Sequence, residues 1–296
     1  MRFGLNSAGY KPHEIIPLAV ACEEAGLDHF SFNDAPFFPE TTVSRYPYSG
    51  DGERDWSLTH PVIDPWVGMA IVTGKTQRIT LMTAVLRMPI RKPLLEAKMA
   101  SSVAALGGTR IALGVGLAWM EEEFWYTNEE MKTRGARVDE AIEILRLCFT
   151  GEFVEYHGKH YDFGRLIMEP HPDGKVPIYV GGLSEPALRR AARLGDGWMG
   201  MAHDRDDCAR IVERLTELRR EYGREYEPFD VIVTPTDATS IDDYRRLEDV
   251  GVTDCWVVPW AAAGSASFAG ALGGQTQVQS KVDAVMRFGE EVASRC

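Results

Sequence analysis

Cysteine is scarce and scattered in this sequence. The 296-residue chain has five, Cys22, Cys148, Cys208, Cys255 and Cys296, an odd number with no CxxC pair. That spacing argues against a disulfide framework or a zinc knuckle and makes a reducing compartment the expectation. Positive charge is also in short supply: 32 basic against 44 acidic side chains give a formal net charge of −12. Nucleic acid and anionic membrane surfaces attract basic proteins, so neither is expected as a partner. No apolar run approaches the roughly 20 residues that a bilayer span needs. The N-terminus, Met1-Arg2-Phe3-Gly4-Leu5-Asn6, carries no leader-like stretch, and a cytoplasmic location follows as the expectation. Hydrolytic and dinucleotide signatures are missing as well: there is no GxSxG, no HExxH and no GxGxxG. His157 and His160 come nearest to a metal spacing, but three residues apart in a hairpin they point to opposite faces, so no metal is expected.

What the chain does contain is an alternation. Short β-rich runs (Arg2–Asn6, His29–Asn33, Ile79–Val85, Ile111–Gly116, Ile178–Val180, Gly197–Met201, Asp230–Thr234, Asp254–Val258) are interleaved with helical patterns. The helices are expected over Glu14–Ala25, Asp64–Thr73, Pro93–Leu106, Arg134–Phe149, Glu185–Leu194, Arg205–Tyr222, Ile241–Val250 and Lys281–Ser294. In the first, Ile15, Leu18, Ala19 and Cys22 recur at three- and four-residue steps; in the second, Asp64-Pro65 supplies an N-cap and a first-turn proline. Between Gly151 and Lys175 a hairpin interrupts the series. Eight strands and eight helices point to an α/β fold, a (β/α)8 TIM barrel in one domain over residues 1–296, with an insertion between helix four and strand five. Two long connections stand out. The aromatic stretch Ala35–Ile63 is long enough to expect a functional role, and the small-residue stretch Ala261–Gly274 reads as a mobile loop after the last strand.

In such a barrel, chemistry gathers where strand C-termini meet the following loops. The windows are Asn6–Tyr10, Asn33–Phe38, Thr83–Met88, Gly116–Glu123, Gly181–Ser184, Met201–His203, Thr234–Thr236 and Pro259–Trp260. The most informative is Pro177-Ile178-Tyr179-Val180-Gly181-Gly182-Leu183-Ser184-Glu185-Pro186: an apolar strand, two glycines and a helix start capped by Ser184. Paired glycines admit close approach to the main chain, and amides at a helix N-terminus favour an anion, so the turn suits a phosphate-bearing cofactor. A second pair, Gly114 and Gly116, removes bulk from the mouth, as a flat ring requires.

Four ordered segments carry a family resemblance: residues 73–89 (TGKTQRITLMTAVLRMP), residues 108–124 (GTRIALGVGLAWMEEEF), residues 134–140 (RGARVDE), and Val180-Gly181-Gly182 with residues 187–198 (ALRRAARLGDGW). Together they resemble the luciferase-like monooxygenase superfamily, nearest to its F420-dependent oxidoreductase branch, over residues 2 to about 260. The resemblance implies a barrel that holds F420, or alternatively FMN, at the strand C-termini, and a homodimer. It implies a non-prolyl cis peptide at Ala84–Val85 after Thr83, supporting the ring, with Gly116 beside it. Phosphate contacts carry over to Gly181, Gly182, Leu183 and Ser184, and a basic pair at the mouth to Arg134 and Arg137. Asp34 is placed to accept a hydrogen bond from a cofactor hydroxyl.

The chain also departs from the family pattern. Where many relatives read Ser-Asp-His after strand two, it has Asn33-Asp34-Ala35, and where sugar-phosphate dehydrogenases carry a glutamate after strand four it has Trp119. Proton-exchanging candidates are His13, His60, His203 and Glu121–Glu123. His13, His60 and Trp119 are the catalytic candidates, with Trp119, Trp66, Trp260 and Phe37 as apolar walls for a small-molecule substrate. The reading is hydride transfer between F420 and such a substrate. The alternatives are an FMN-dependent two-component monooxygenase using dioxygen and a cofactor-binding barrel without turnover. The longer anionic tail of F420 favours basic residues at the entrance, where Arg87, Arg91, Lys92, Arg134 and Arg137 fall in sequence.

Overall fold

A computed structural model of the chain describes residues 1–47, 49, 51–54, 56–261 and 277–296. Most of the Ala261–Gly274 segment, and Tyr48 in the second loop, lie outside the described residues. Eight parallel strands close on themselves. They are β1 (Arg2–Asn6), β2 (His29–Phe32), β3 (Thr80–Arg87), β4 (Ile111–Gly116), β7 (Ile178–Gly181), β8 (Gly197–His203), β9 (Asp230–Pro235) and β10 (Asp254–Trp256). Around the barrel the order is β1-β10-β9-β8-β7-β4-β3-β2, with Gly4 paired to His29 on one side and to Trp256 on the other. β5 (Val154–His157) and β6 (Asp162–Leu166) form the inserted antiparallel hairpin, as expected.

The helices α1 (Pro12–Glu24), α2 (Pro65–Thr73), α3 (Pro93–Gly107), α5 (Arg134–Cys148), α6 (Glu185–Leu194), α7 (Arg205–Glu221), α8 (Ile241–Asp249) and a C-terminal helix (Val278–Glu291) follow the expected pattern within a few residues. Asp64 caps α2 by accepting from the Trp66 amide at 2.9 Å. One helix was not anticipated: α4 (Glu121–Thr127) makes nine among the described residues. Three glutamates in its first turn suit the positive end of the helix, and Asn128, left-handed at φ 60°, closes it.

Strand periodicity sorts side chains into two cores. Phe3, Leu5, Phe30, Phe32 and Trp198 pack outward in the main core, which includes helix side chains such as Leu18, Ile142 and Leu188. Met82, Ala84, Ala112, Tyr179, Met199, Ile232 and Trp256 fill the barrel itself. A polar cluster closes the barrel's N-terminal end: Arg2 reaches Asp230 at 2.5 Å and Asp254 at 2.8 Å, and the Tyr179 hydroxyl donates to Asp230 at 2.8 Å. The interior is therefore packed from below, and only the C-terminal mouth is left to build a site.

Candidate active site at the C-terminal mouth of the barrel

The peptide bond between Ala84 and Val85 is cis, and the β3–β4 register shifts there, between Thr83 and Leu86. That shift carries β3 on to Arg87, two residues beyond its expected end. Three glycines on the neighbouring strands surround the Val85 side chain. A Cβ built on Gly114 would lie 3.1 Å from Val85 Cγ1, one on Gly116 2.5 Å from Cγ2, and one on Gly181 3.2 Å from Cγ1. The glycines thus make a notch for Val85, which leaves this half-buried isopropyl group standing in the mouth. This corrects the expectation that the Gly114–Gly116 pair simply empties the mouth. Thr83 needs correcting too: it is fully buried and its hydroxyl donates to the Gly114 carbonyl at 2.8 Å, stapling β3 to β4 instead of facing a ligand.

Next to the notch, β7 runs into the glycine turn. Gly182 adopts φ 117°, where a side chain would be strained and would meet Ala187. Its carbonyl accepts from the Trp198 indole at 2.8 Å, which pins the turn. Leu183 and Ser184 are exposed, and no hydrogen bond reaches their amides among the described residues. Ser184 occupies the N-cap position of α6, but its hydroxyl makes no capping bond, contrary to expectation. The helix start therefore presents unengaged donors at the rim.

The two arginines of α5 part company. Arg137 is buried, and its fork is taken up by Thr133 Oγ1 at 3.2 Å, the Pro89 carbonyl at 2.5 Å, the Glu130 carbonyl at 2.7 Å and the Glu129 carboxylate. It locks the segment after β3 to α5 and has little left for a cofactor. Arg134 keeps an unpartnered Nε. The carbonyl of the next residue, Gly135, accepts from Arg190 of α6 at 3.1 Å, so Arg134 starts its helix alongside the one that the glycine turn enters.

Asp34 is likewise engaged. Arg91 grips both its oxygens, at 2.8 and 2.7 Å, and the Arg87 amide donates to one of them at 2.8 Å. Such a bidentate, buried pair makes Asp34 a support for the β3 exit, with three of its roughly four acceptor positions already taken. Arg87 pairs with Glu123, and Lys92 with Glu129 at 2.5 Å. Of the five basic residues expected to draw an anionic tail, only Arg134 escapes an ion pair with a carboxylate among the described residues.

The loop after β2 folds back on α4. Glu122 accepts from the Val43 amide at 2.5 Å and the Ser44 hydroxyl at 3.0 Å, so it tethers the loop and is not a free base. Tyr46 then sits edge-on to Trp119 at 5.4 Å and to Trp56 at 4.8 Å, and Phe38 lies 6.3 Å from Trp56. Trp119 therefore belongs to an aromatic wall. The expected histidines are not brought together. His13 is exposed in the first turn of α1, and His60 is half-buried in the loop, where burial lowers its pKa. His203 is buried 5.7 Å from Trp198, and burial lowers its pKa too, outweighing Asp207 at 3.9 Å.

Sequence reasoning placed three polar residues in the strand-end windows but gave them no role. Asn6 Nδ2, Asn33 Oδ1 and Thr234 Oγ1 are buried with no hydrogen-bond partner. Their position at strand ends, on the inward parity, was the available signal.

Comparison with known proteins settles the family. The luciferase-like monooxygenase family matches residues 2–250. The chain belongs to that family. Luciferase-like enzymes are oxidoreductases, and this chain is one. An uncharacterized protein of Mycobacterium tuberculosis is 38% identical over 299 residues, covering 100% of both chains. An F420-dependent glucose-6-phosphate dehydrogenase of Nocardia farcinica is 33% identical over 257 residues, 83% of this chain and 71% of that one. The coenzyme F420-dependent tetrahydromethanopterin reductase of Methanopyrus kandleri shares the fold at a TM-score of 0.73 and 17% identity, covering 99% of both chains. A groove of about 530 Å³, lined by Arg146, Phe149, His171 and Lys175, lies by the segment that leads into β7.

Proposed function

We propose that the protein is an F420-dependent oxidoreductase that transfers a hydride between the deazaflavin C5 and a small organic substrate. The observation that carries this reading is the closeness of the Val85 notch to the Gly181–Ser184 turn, half-buried at its glycines and exposed at Leu183 and Ser184. The notch offers a flat apolar support for a ring, and the turn offers main-chain donors to a phosphate. The 33% identical relative named for F420 dependence favours that cofactor over FMN. When bound, F420 supplies a two-electron hydride carrier without reactivity toward dioxygen.

The chain's own groups would divide the work of holding it. Leu183 and Ser184 amides, with the unengaged Ser184 hydroxyl, would take phosphate oxygens, and Arg134 would add a cation. Val85 would set the ring's depth, and the Tyr46–Trp56–Trp119 wall would keep water from its outer face. Equilibrium fluorescence titration is the test: F420 binds at micromolar concentration or tighter and more strongly than FMN. Arg134→Gln weakens F420 about tenfold, the loss of one charge-assisted contact, with an unchanged melting temperature. Absence of binding by either cofactor overturns the proposal.

A further inference from the structure

Asn6, Asn33 and Thr234 are distant in sequence but share one layer of the barrel. On β1, Gly4 faces inward, since a Cβ there would strike the His29 imidazole, and Asn6 is two residues on. On β2, Ser31 faces inward, accepting from the Trp256 indole at 2.7 Å, and Asn33 is two residues on. On β9, Ile232 is part of the inner core, and Thr234 is two residues on. Strand alternation therefore points Asn6 and Thr234 into the mouth, and continued one residue past the end of β2 it points Asn33 there as well. In barrel order β9-β10-β1-β2 they occupy one arc, across from the β3-β4-β7 arc that carries Val85 and the glycines.

Asn6 is 2% exposed and Thr234 8%. Asn6 Oδ1 accepts from the Ala8 amide at 2.9 Å, which leaves Nδ2 as the unpartnered end. Unsatisfied buried polar groups cost stability, and among those in this structure these three stand together at the ends of strands that line the mouth, which points to an occupant there. The occupant's chemistry follows from what surrounds them. All three groups are neutral, and three arginines near the mouth are neutralised, Arg87 by Glu123, Arg91 by Asp34 and Arg137 by Glu129, while Arg134 stands beside the glycine turn of the opposite arc. The wall above is aromatic. None of the three neutralised arginines is free to receive a phosphorylated sugar.

We propose that Asn6, Asn33 and Thr234 form a substrate subsite that holds the carbonyl or hydroxyl oxygen of an uncharged, largely apolar molecule. The inference rests on the F420 reading for the identity of the ring opposite, and it concerns binding only.

The test uses F420-loaded protein and three alcohols, cyclohexanol, benzyl alcohol and 2-butanol, each paired with its hydrocarbon counterpart, methylcyclohexane, toluene and butane-saturated buffer. Ligand-observed NMR titration should show at least one alcohol binding about tenfold more tightly than its hydrocarbon, and glucose 6-phosphate binding more weakly than that alcohol. Asn6→Leu combined with Thr234→Val should erase the preference and leave F420 affinity within twofold, while Thr234→Val alone, which removes an unpaired hydroxyl and breaks no hydrogen bond, should leave the melting temperature unchanged or raise it. Tighter binding of glucose 6-phosphate, retention of the alcohol preference in the double variant, a fall in the melting temperature of Thr234→Val, or no alcohol preference at all overturns the subsite. A tenfold loss of F420 affinity in the double variant would assign these groups to the cofactor and overturn it equally. Should F420 itself not bind, the cofactor reading fails separately, and the same titrations and melting curves on cofactor-free protein still decide the subsite.

Discussion

Lys281 is the most informative residue to perturb for stability. It lies on the C-terminal helix, 2% exposed, with its Nζ 2.9 Å from Glu14 Oε1, and Glu14 is 4% exposed in the first turn of α1. The ammonium also stands 5.7 Å from the Tyr10 ring centroid and 5.5 Å from that of Trp260. This pair links the last helix to the first, across 267 residues of chain. Lys281→Met keeps the length of the stem and packs a thioether against the two rings, so little volume is lost. What remains is the uncompensated Glu14 carboxylate, and removing one member of a buried pair costs about 3–5 kcal/mol. At roughly 2–4 °C per kcal/mol for a domain near this size, the melting temperature should fall by about 6–20 °C. Glu14→Gln in the same background removes the stranded charge while keeping an acceptor for the Lys11 amide, now at 2.8 Å, and should recover most of the loss. Urea unfolding of the four proteins completes the cycle. A loss below about 1 kcal/mol for the single variant, or a double variant no more stable than it, refutes the reasoning.

Acid should act on the polar cluster at the barrel's N-terminal end in two opposed ways. Burial and Arg2 lower the His29 pKa to about 3, so stability falls as pH drops below about 6.5, where only the unfolded chain takes up that proton, by up to about 1.4 kcal/mol per pH unit. Burial raises the Asp254 pKa to about 6 despite Arg2, so the folded state binds that proton first and regains stability as pH falls from about 6 to 4. Asp254→Asn should therefore steepen the acid loss across that window in a pH series of urea midpoints; an unchanged slope contradicts the assignment. Glu122→Ala should release the second loop from α4, raising limited proteolysis within residues 35–63 about tenfold, the effect of roughly 1.4 kcal/mol on local opening. An unchanged cleavage rate would show that the aromatic contacts alone hold the loop.

Most of the architecture could be read along the chain, because the information is local. Both-sided apolar runs such as Ile111–Gly116 declare buried parallel strands, and the Asp64-Pro65 cap and the Gly181-Gly182 turn are set by neighbouring residues. The short helix α4 escaped because its seven residues hold too little apolar periodicity to stand out.

By itself, then, the sequence determined the barrel, the inserted hairpin and the place of the glycine turn, since each follows from backbone preferences and periodicity within a few residues. Only the tertiary structure decided which polar groups are available. Asp34 is occupied by Arg91, 57 positions away, Arg137 by Pro89, 48 away, and Thr83 by Gly114, 31 away, whereas Asn6 Nδ2, Asn33 Oδ1 and Thr234 Oγ1 are left without a partner. Hydrogen-bonding capacity is consumed by whatever lies within about 3 Å in space, and closure of the barrel, not order along the chain, fixes that company.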